Sequence, residues 1–366
     1  MKQREKHTPF SLLLLVFTMR FTKVIVTKDR IWQPEVTWLN GYFSFALWSS
    51  LGIFILMRHS VIFIHCTSSK DIEFFSKYGV ISHTILLFSV NIMIFLLVSC
   101  TPKQEIPQEG DFSVLSYNIH GLPSAITGDD TTMRMNLIAP LLNDFLLVGL
   151  QEDWMQEHHE TIMDGNSHPY ERYFDEKIDE EKVYGAGLSF LSTYSIIDHQ
   201  HIHYESCFGY LENSSDCFAS KGLQFMEIAL HDDVIIHIYN THLEAGGGQE
   251  DHLVRQEQIE SILQALQSYS LDHPVIVMGD FNLRYSDPID LPLLEKLIEE
   301  GNLEQSCFAT SCTEEDHIDQ IFFRSSTQTT LQVNSWTRNN YFIDDEGIDL
   351  SDHPAISSSF SWSHQP

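Results

Sequence analysis

Four polar residues stand at the ends of short apolar runs and are candidates for chemistry: Asn118, Glu152, His242 and Asp280. Strand ends hold side chains rigidly along one edge of a sheet, which is where α/β sheets build their sites. Each motif alone would more often be a solvated loop or an Asx turn. Four in one chain, in order, indicate a catalytic edge.

Two later clusters, residues 317–321 and 350–354, add Asp319, Asp352 and His353. Carboxylate and amide oxygens suit hard cations such as Mg²⁺. An imidazole beside a carboxylate suits proton transfer near neutral pH. Hydrolysis of a phosphoester needs both, because it requires a cation on the phosphate oxygens, a deprotonated water and donors for the developing charge.

These motifs resemble the endonuclease/exonuclease/phosphatase superfamily, which includes deoxyribonuclease I, exonuclease III, inositol polyphosphate 5-phosphatases and neutral sphingomyelinases. The matching pieces are SYNIHG (116–121), LQEDW (150–154), NTHLEAG (240–246), GDFN (279–282), HIDQIF (317–322) and SDHP (351–354). The resemblance implies an α/β (α+β) fold of deoxyribonuclease I type, a four-layered sandwich of two packed mixed β-sheets flanked by helices. It also implies cleavage of phosphoesters that depends on Mg²⁺, with Mn²⁺ or Co²⁺ able to substitute.

The resemblance assigns the metal side of the site first. Glu152 is the leading metal ligand, with Asn118 beside it and Asp352 on the same side. Asp280 is expected to orient the attacking water or to share a second metal. Asn282 is expected to hydrogen-bond the scissile phosphate.

The remaining roles concern proton transfer and substrate. His353 is the expected general base, oriented by Asp319 through its other ring nitrogen. His242 is expected to stabilise the phosphate or to protonate the leaving group. Lys221 and Asn240 are the expected substrate-binding residues.

The charge of the chain bears on the substrate. Residues 1–100 contain 10 Lys and Arg against 5 Asp and Glu, which leaves 11 against 46 in residues 101–366. No run of basic residues could follow a nucleic-acid backbone, so the sequence shows no strong nucleic-acid footprint. The segment 216–222 is similar to the Lys-Gly segment of sphingomyelinases, although an ordinary turn remains an open alternative.

The sequence therefore predicts a phosphodiesterase of sphingomyelinase C type that releases phosphocholine or a related headgroup at a phospholipid membrane surface, acting as a monomer. The alternatives are a secreted or periplasmic endonuclease of deoxyribonuclease type, a phosphoinositide phosphatase, and a catalytically silent binding scaffold. The scaffold is disfavoured because a scaffold does not need every acid and base of the set.

The first hundred residues predict membrane attachment. Residues 1–79 form a leader with an apolar segment at 41–57, and residues 80–99 are twenty residues without a charge, about the length that crosses a bilayer. Residues 97–100 resemble the lipobox of bacterial lipoproteins, which implies export and acylation of Cys100. A transmembrane anchor, a membrane hairpin and a start codon downstream of Met1 are open alternatives.

The elements that must position the site lie after a linker at 101–110, in a catalytic domain at 111–366. Apolar runs of strand length, many of them suited to strands buried on both faces, are found at 112–118, 145–151, 187–192, 223–230, 234–241, 274–278, 318–323, 329–335 and 354–360. Apolar residues at helical spacing occur at 135–142 and 253–266. Helices alternating with buried strands predict a layered α/β or α+β fold.

Three further features leave alternatives open. The close pairs Cys207/Cys217 and Cys307/Cys312 suit disulfides in an oxidising compartment, or are free thiols. Aromatic residues in 207–217 and 336–342 suit a lipid-contacting rim or the core. Five histidines in polar stretches are predicted to be surface residues: His158, His159, His199, His201 and His203.

Overall fold

The computed structural model describes residues 53–57, 60–64, 108–210, 215–231, 234–313 and 316–365. The chain divides into two units, Met1–Glu105 and Ile106–Pro366. In the first unit, strands β1 (Ile53–Met57) and β2 (Ser60–Ile64) pair antiparallel.

Residues 80–107, with Cys100, lie outside the described residues. The signal or lipobox segment, the membrane anchor and most of the linker therefore stay predictions. Within the part of the chain that the structure describes, no helix combines the length and the hydropathy that a membrane crossing needs.

The second unit contains two six-stranded sheets. The first sheet has the strand order β11-β12-β10-β9-β8-β7, and the second has the order β13-β14-β3-β4-β6-β5. The strands are β3 (Gln108–Asn118), β4 (Leu147–Gln151), β5 (Tyr170–Phe174), β6 (Leu188–Ser192), β7 (Ile196–His203), β8 (Gly222–His231), β9 (Val234–His242), β10 (Val275–Asp280), β11 (Glu304–Gln305), β12 (Asp319–Arg324), β13 (Thr329–Arg338) and β14 (Ile356–His364). Each sheet is mixed, with one parallel pair at its centre: β9 with β10, and β3 with β4.

Helices cover the outer faces of both sheets. The helices are α1 (Ser124–Thr127), α2 (Thr131–Leu141), α3 (Gln156–Gly165), α4 (Gln249–Tyr269), α5 (Leu291–Gly301) and α6 (Ser306–Ala309). α4 and α5 pack on the first sheet through residues such as Ile259 and Leu294. α2 and α3 pack on the second sheet through Ile138 and Ile162.

The main core lies between the two sheets. It combines side chains from both inner faces, among them Val114, Phe190, Ile238, Met278 and Phe360, and these five are fully buried. Because central strands are also covered by helices on their outer faces, they bury nearly every residue, as the six buried positions of β10 illustrate. The predicted four-layered sandwich is confirmed.

Strand β3 begins four residues earlier than the apolar run at 112–118 predicted. Its first residues, from Gln108 to Asp111, pair with residues 361–364 of β14. Strand β3 therefore extends into the segment interpreted as linker, because the long partner strand β14 offers hydrogen bonds that the apolar pattern does not reveal.

Candidate active site

The chain brings its candidate catalytic residues to one end of both sheets. Asn118 is the last residue of β3, and Glu152 follows β4, its parallel neighbour. In the other sheet, Asp280 ends β10 in register with His242 of parallel β9 and with Asp319 of antiparallel β12. The predicted catalytic edge is therefore built from strand ends of both sheets.

Two tight backbone approaches make this edge compact. Gly279 has φ 149°, and a Cβ there would lie 1.9 Å from the Thr241 carbonyl oxygen, so only glycine lets β10 approach β9 this closely. A Cβ on Gly121 would lie 2.3 Å from the Glu152 carbonyl oxygen. Glycine at this position allows the loops after β3 and β4 to touch.

Asn118 joins the two sheets at the site. Its Nδ2 donates to Glu152 Oε1 and to Asp280 Oδ2, each at 3.0 Å. Burial acts to raise the pKa of Glu152, but the contacts with His120, His242 and Asn118 hold it well below its ordinary value. Glu152 is therefore ionised at neutral pH.

His353 and Asp319 form a hydrogen-bonded pair beside Asp280. His353 Nδ1 lies 3.0 Å from Asp319 Oδ2, and its Nε2 lies 3.6 Å from Asp280 Oδ2. Burial acts to lower the pKa of His353, but Asp319 and Asp280 outweigh it and raise the pKa to about 10. Burial and the charge of Asp319 together raise the pKa of Asp280 to about 7.

These carboxylates fit a divalent cation. Asp280, Asp319 and His353 offer ligand atoms within 4.8 Å of one another. Burial and, after it, the charge of Asp319 raise the pKa of Asp280, and a bound cation would offset both effects. Glu152 adds a third carboxylate, which accepts from the same Asn118 Nδ2 as Asp280 does. This oxygen-rich set suits Mg²⁺ and similar hard cations.

His242 and Lys221 form a second group of side chains beside Asp280. His242 Nε2 lies 3.5 Å from Asp280 Oδ2 and 3.2 Å from Lys221 Nζ. Burial, aided by the charge of Lys221, lowers the pKa of His242 well below its ordinary value. His242 is therefore neutral and suited to hydrogen bonding rather than to donating a proton as an imidazolium. Lys221 also contacts Asp216 and donates to the Leu243 carbonyl oxygen.

Asn282 and Asp352 complete the rim. Asn282 has φ 50°, a left-handed conformation that asparagine tolerates, and its backbone N–H donates to Asp280 Oδ1. Its Nδ2 donates to the Leu243 carbonyl oxygen at 3.2 Å. Asp352 is exposed and lies 3.4 Å from His120 Nδ1, which places it at the edge nearest to solvent.

Asn240 does not reach this rim. It is fully buried between the sheets, where Nδ2 donates to the carbonyl oxygens of Leu150 and Ser189 and Oδ1 accepts from Gln151. These hydrogen bonds join the two sheets beneath the site. The placement gives Asn240 a structural use and does not support the predicted role in substrate binding.

Sequence reasoning missed two residues at the site. His120 Nδ1 lies 3.6 Å from Glu152 Oε2, and His120 is visible in the motif SYNIHG, two residues after Asn118. Arg134 is buried and donates to the carbonyl oxygens of Ile119, His120 and Leu350. No sequence signal identifies Arg134, because backbone acceptors can belong to any residue type.

One surface prediction is corrected, and an open alternative is decided residue by residue. His158 and His159 are buried, not exposed, because both hydrogen-bond within the fold. Among the aromatic residues predicted for a rim, Tyr210 and Tyr341 are exposed, whereas Phe342 belongs to the core. The cysteines pair as Cys207–Cys217 and Cys307–Cys312.

The sequence of residues 115–353 matches the Endonuclease/Exonuclease/phosphatase family, and the chain belongs to it. A sphingomyelinase of Mycobacterium tuberculosis is 27% identical over 282 residues, which cover 71% of this chain and 54% of that protein. The chain thus spans about half the length of this mycobacterial relative. The residues gathered at the site, from Asn118 to His353, all lie within this matched stretch.

Solved structures confirm the fold. Beta toxin from Staphylococcus aureus with bound magnesium ions has a TM-score of 0.52 at 16% identity, over 68% of this chain and 99% of that one. Humanized TDP2 from D. rerio has a TM-score of 0.53 at 18% identity, over 68% of this chain and 98% of that one. At these identities the likeness extends to the fold alone and does not select a substrate.

Proposed function

We propose that this chain is a Mg²⁺-dependent phosphodiesterase that hydrolyses the headgroup linkage of sphingomyelin or a related phospholipid. The observation that carries the proposal is Asn118, whose amide bridges Glu152 and Asp280 across the two sheets beside the Asp319–His353 pair. This arrangement sets carboxylates for a cation next to a group for proton transfer. The sphingomyelinase relative supports the choice of lipid.

In this proposal Glu152, Asn118 and Asp352 would hold the cation, with Asp280 facing both them and the base. When bound, the cation would neutralise charge on the phosphate oxygens and offset the effect of the carboxylates on the pKa of His353. Mn²⁺ or Co²⁺ is expected to substitute, because the same oxygen ligands accept them.

The chain's own residues then divide the chemistry. His353 Nε2, which faces Asp280, accepts the proton of the attacking water, while Asp319 holds the Nδ1 proton and fixes the ring. Asp280 orients that water. Neutral His242 and the amide of Asn282 donate hydrogen bonds to the phosphate, and the Lys221 ammonium supplies a positive charge behind them.

The lipid substrate is supported by the charge and by the surface near the site. The domain is strongly acidic, which disfavours a polyanionic nucleic acid. Tyr341, Ile343 and Ile348 are exposed on the segment that precedes Asp352 and His353. Aromatic and aliphatic side chains at this position would contact a phospholipid surface next to the catalytic groups. Export, with an anchor at Cys100 or in residues 80–99, would keep the domain at that surface.

The test offers the purified chain vesicles of sphingomyelin, of phosphatidylcholine or of phosphatidylcholine with phosphoinositides and, in parallel, plasmid DNA, each with Mg²⁺ or with EDTA. Phosphocholine release that EDTA abolishes, with intact plasmid, is the expected result. Nicked plasmid with untouched vesicles would instead establish the nuclease alternative. Release of inorganic phosphate from phosphoinositides would establish a phosphatase.

A further inference from the structure

A second carboxylate lies directly after Glu152 and has no place in the proposed chemistry. Asp153 is fully buried. Its Oδ2 lies 2.7 Å from His159 Nδ1 on α3 and accepts a hydrogen bond from Ser189 Oγ on β6. We call Asp153, His159 and Ser189 the Asp153 cluster.

The backbone and neighbours of Asp153 are anchored as well. Its N–H donates to the Gly187 carbonyl oxygen at 3.0 Å, and its carbonyl oxygen accepts from Tyr173 Oη at 3.1 Å. The Tyr173 ring stacks on His159 with centroids 3.9 Å apart. Asp153 is therefore fixed to β5, β6 and α3 at the same time.

The cluster is electrostatically balanced. Burial acts to lower the pKa of His159, but the hydrogen bond and the charge of Asp153 raise it above its ordinary value. An imidazolium next to a carboxylate neutralises the buried charge. Such pairs add little net stability compared with apolar side chains of the same volume, so a role other than stability must be sought.

The residue types resemble those of a hydrolase triad, but the geometry excludes that role. Ser189 is fully buried, so no substrate can reach its hydroxyl. The hydroxyl donates to Asp153, whereas a nucleophile would give its proton to the histidine. The cluster thus acts on its surroundings and not on a substrate.

The neighbour on which it can act is Glu152. Glu152 has φ 60°, a strained left-handed conformation for a residue with a side chain. Strain of this kind persists only where the surrounding structure holds it. On one side Gln151 ends β4, and on the other side Asp153 carries the anchors described above.

We propose that the Asp153 cluster positions Glu152, holding its backbone in the left-handed conformation that aims the carboxylate at the cation site. The proposal rests on the proposed function for the assignment of Glu152 as a metal ligand. Asp153, His159 and Ser189 are positioning residues, because each acts through Glu152 and none of them touches the substrate. Removal of a partner behind a metal ligand typically weakens metal affinity by about 10- to 100-fold.

The test measures binding of Mn²⁺ alone, by calorimetry, to the full chain after EDTA treatment and dialysis. The variants are Asp153→Asn and Ser189→Ala, with folding checked by circular dichroism. The matched control is His168→Gln. His168 is also buried, and its Nε2 lies 2.8 Å from the Phe145 carbonyl oxygen. Phe145 precedes strand β4, whereas Glu152 follows the end of that strand.

Weaker Mn²⁺ binding by about 10-fold or more in both cluster variants, with the control at the wild-type Kd, is the expected result. Wild-type affinity in Ser189→Ala would overturn the proposal even where Asp153→Asn does not fold. Equal weakening in the control would also overturn it, because the effect would then be general destabilisation. Absence of Mn²⁺ binding by the wild type would refute the cation in the proposed function itself, whereas inactivity on sphingomyelin leaves this readout intact.

Discussion

The substitution Asp319→Asn tests the proposed base most closely. It preserves the shape of a fully buried side chain but removes the charge that faces His353 Nδ1 at 3.0 Å. The net rise of the His353 pKa from 6.5 to about 10 corresponds to about 5 kcal/mol in favour of the imidazolium, since Asp319, Asp280 and Asp352 together outweigh burial. Loss of Asp319 therefore lowers the pKa and frees the ring to turn.

We expect kcat to fall by about 10³- to 10⁴-fold, since an unoriented ring no longer presents Nε2 to the water. The acidic limb of the pH–rate profile should move to lower pH, because His353 must be neutral to accept a proton and its pKa has fallen. The assay is phosphocholine release from sphingomyelin vesicles between pH 5 and 10, at saturating Mg²⁺.

Asp316→Asn is the matched control. Asp316 lies three residues before Asp319 in the chain, is exposed, and accepts hydrogen bonds from Ser286. The Asp316→Asn variant should retain the wild-type kcat and an unchanged pH–rate profile. Asp319→Asn with more than a tenth of wild-type kcat and an unmoved acidic limb would refute the orienting role of Asp319.

Three further substitutions test the site and the fold. Glu152→Gln should raise the Mg²⁺ concentration for half-maximal activity by about 10-fold or more, measured by Mg²⁺ titration, and an unchanged requirement would remove Glu152 from the ligand set. Burial lowers the pKa of His237 to about 3. Below pH 6.5 the unfolded chain therefore binds more protons than the folded chain. The free energy of unfolding should fall by about 1 kcal/mol per pH unit towards pH 4. Urea unfolding at pH 7 and pH 5 measures this, and His237→Gln should flatten the dependence. Gly279→Ala should lower the free energy of unfolding, measured in urea, by more than about 2 kcal/mol, because the new Cβ would meet the Thr241 carbonyl oxygen. Gly247→Ala should leave that free energy nearly unchanged, because the space around Gly247 is open.

The sequence predicted the central strands because they are buried on both faces and read as apolar runs. In the second unit it missed β5, β7 and the two-residue β11, all of which are edge strands. β5 has only one buried residue, Phe174, and β7 alternates histidines with other polar or aliphatic residues. Edge strands of this kind lack the apolar signal that burial produces.

The residues of the candidate site were also predictable only in part from the sequence. Residues whose chemistry is unusual at a strand end, such as Glu152 and Asp280, could be predicted from type and position. The supporting contacts could not, since they join residues far apart in the chain. Arg134, for example, reaches the Leu350 carbonyl oxygen across 216 residues, and His159 reads as a surface residue until its partner Asp153 is seen beside it.

The most direct test of the central claim is the release of phosphocholine by the purified full-length chain from sphingomyelin vesicles, in Mg²⁺ and in EDTA, beside the His353→Ala variant. We expect release by the wild type in Mg²⁺ only, and none by the variant although it still binds Mn²⁺. Turnover by His353→Ala at the wild-type rate, or release that persists in EDTA, would contradict that claim.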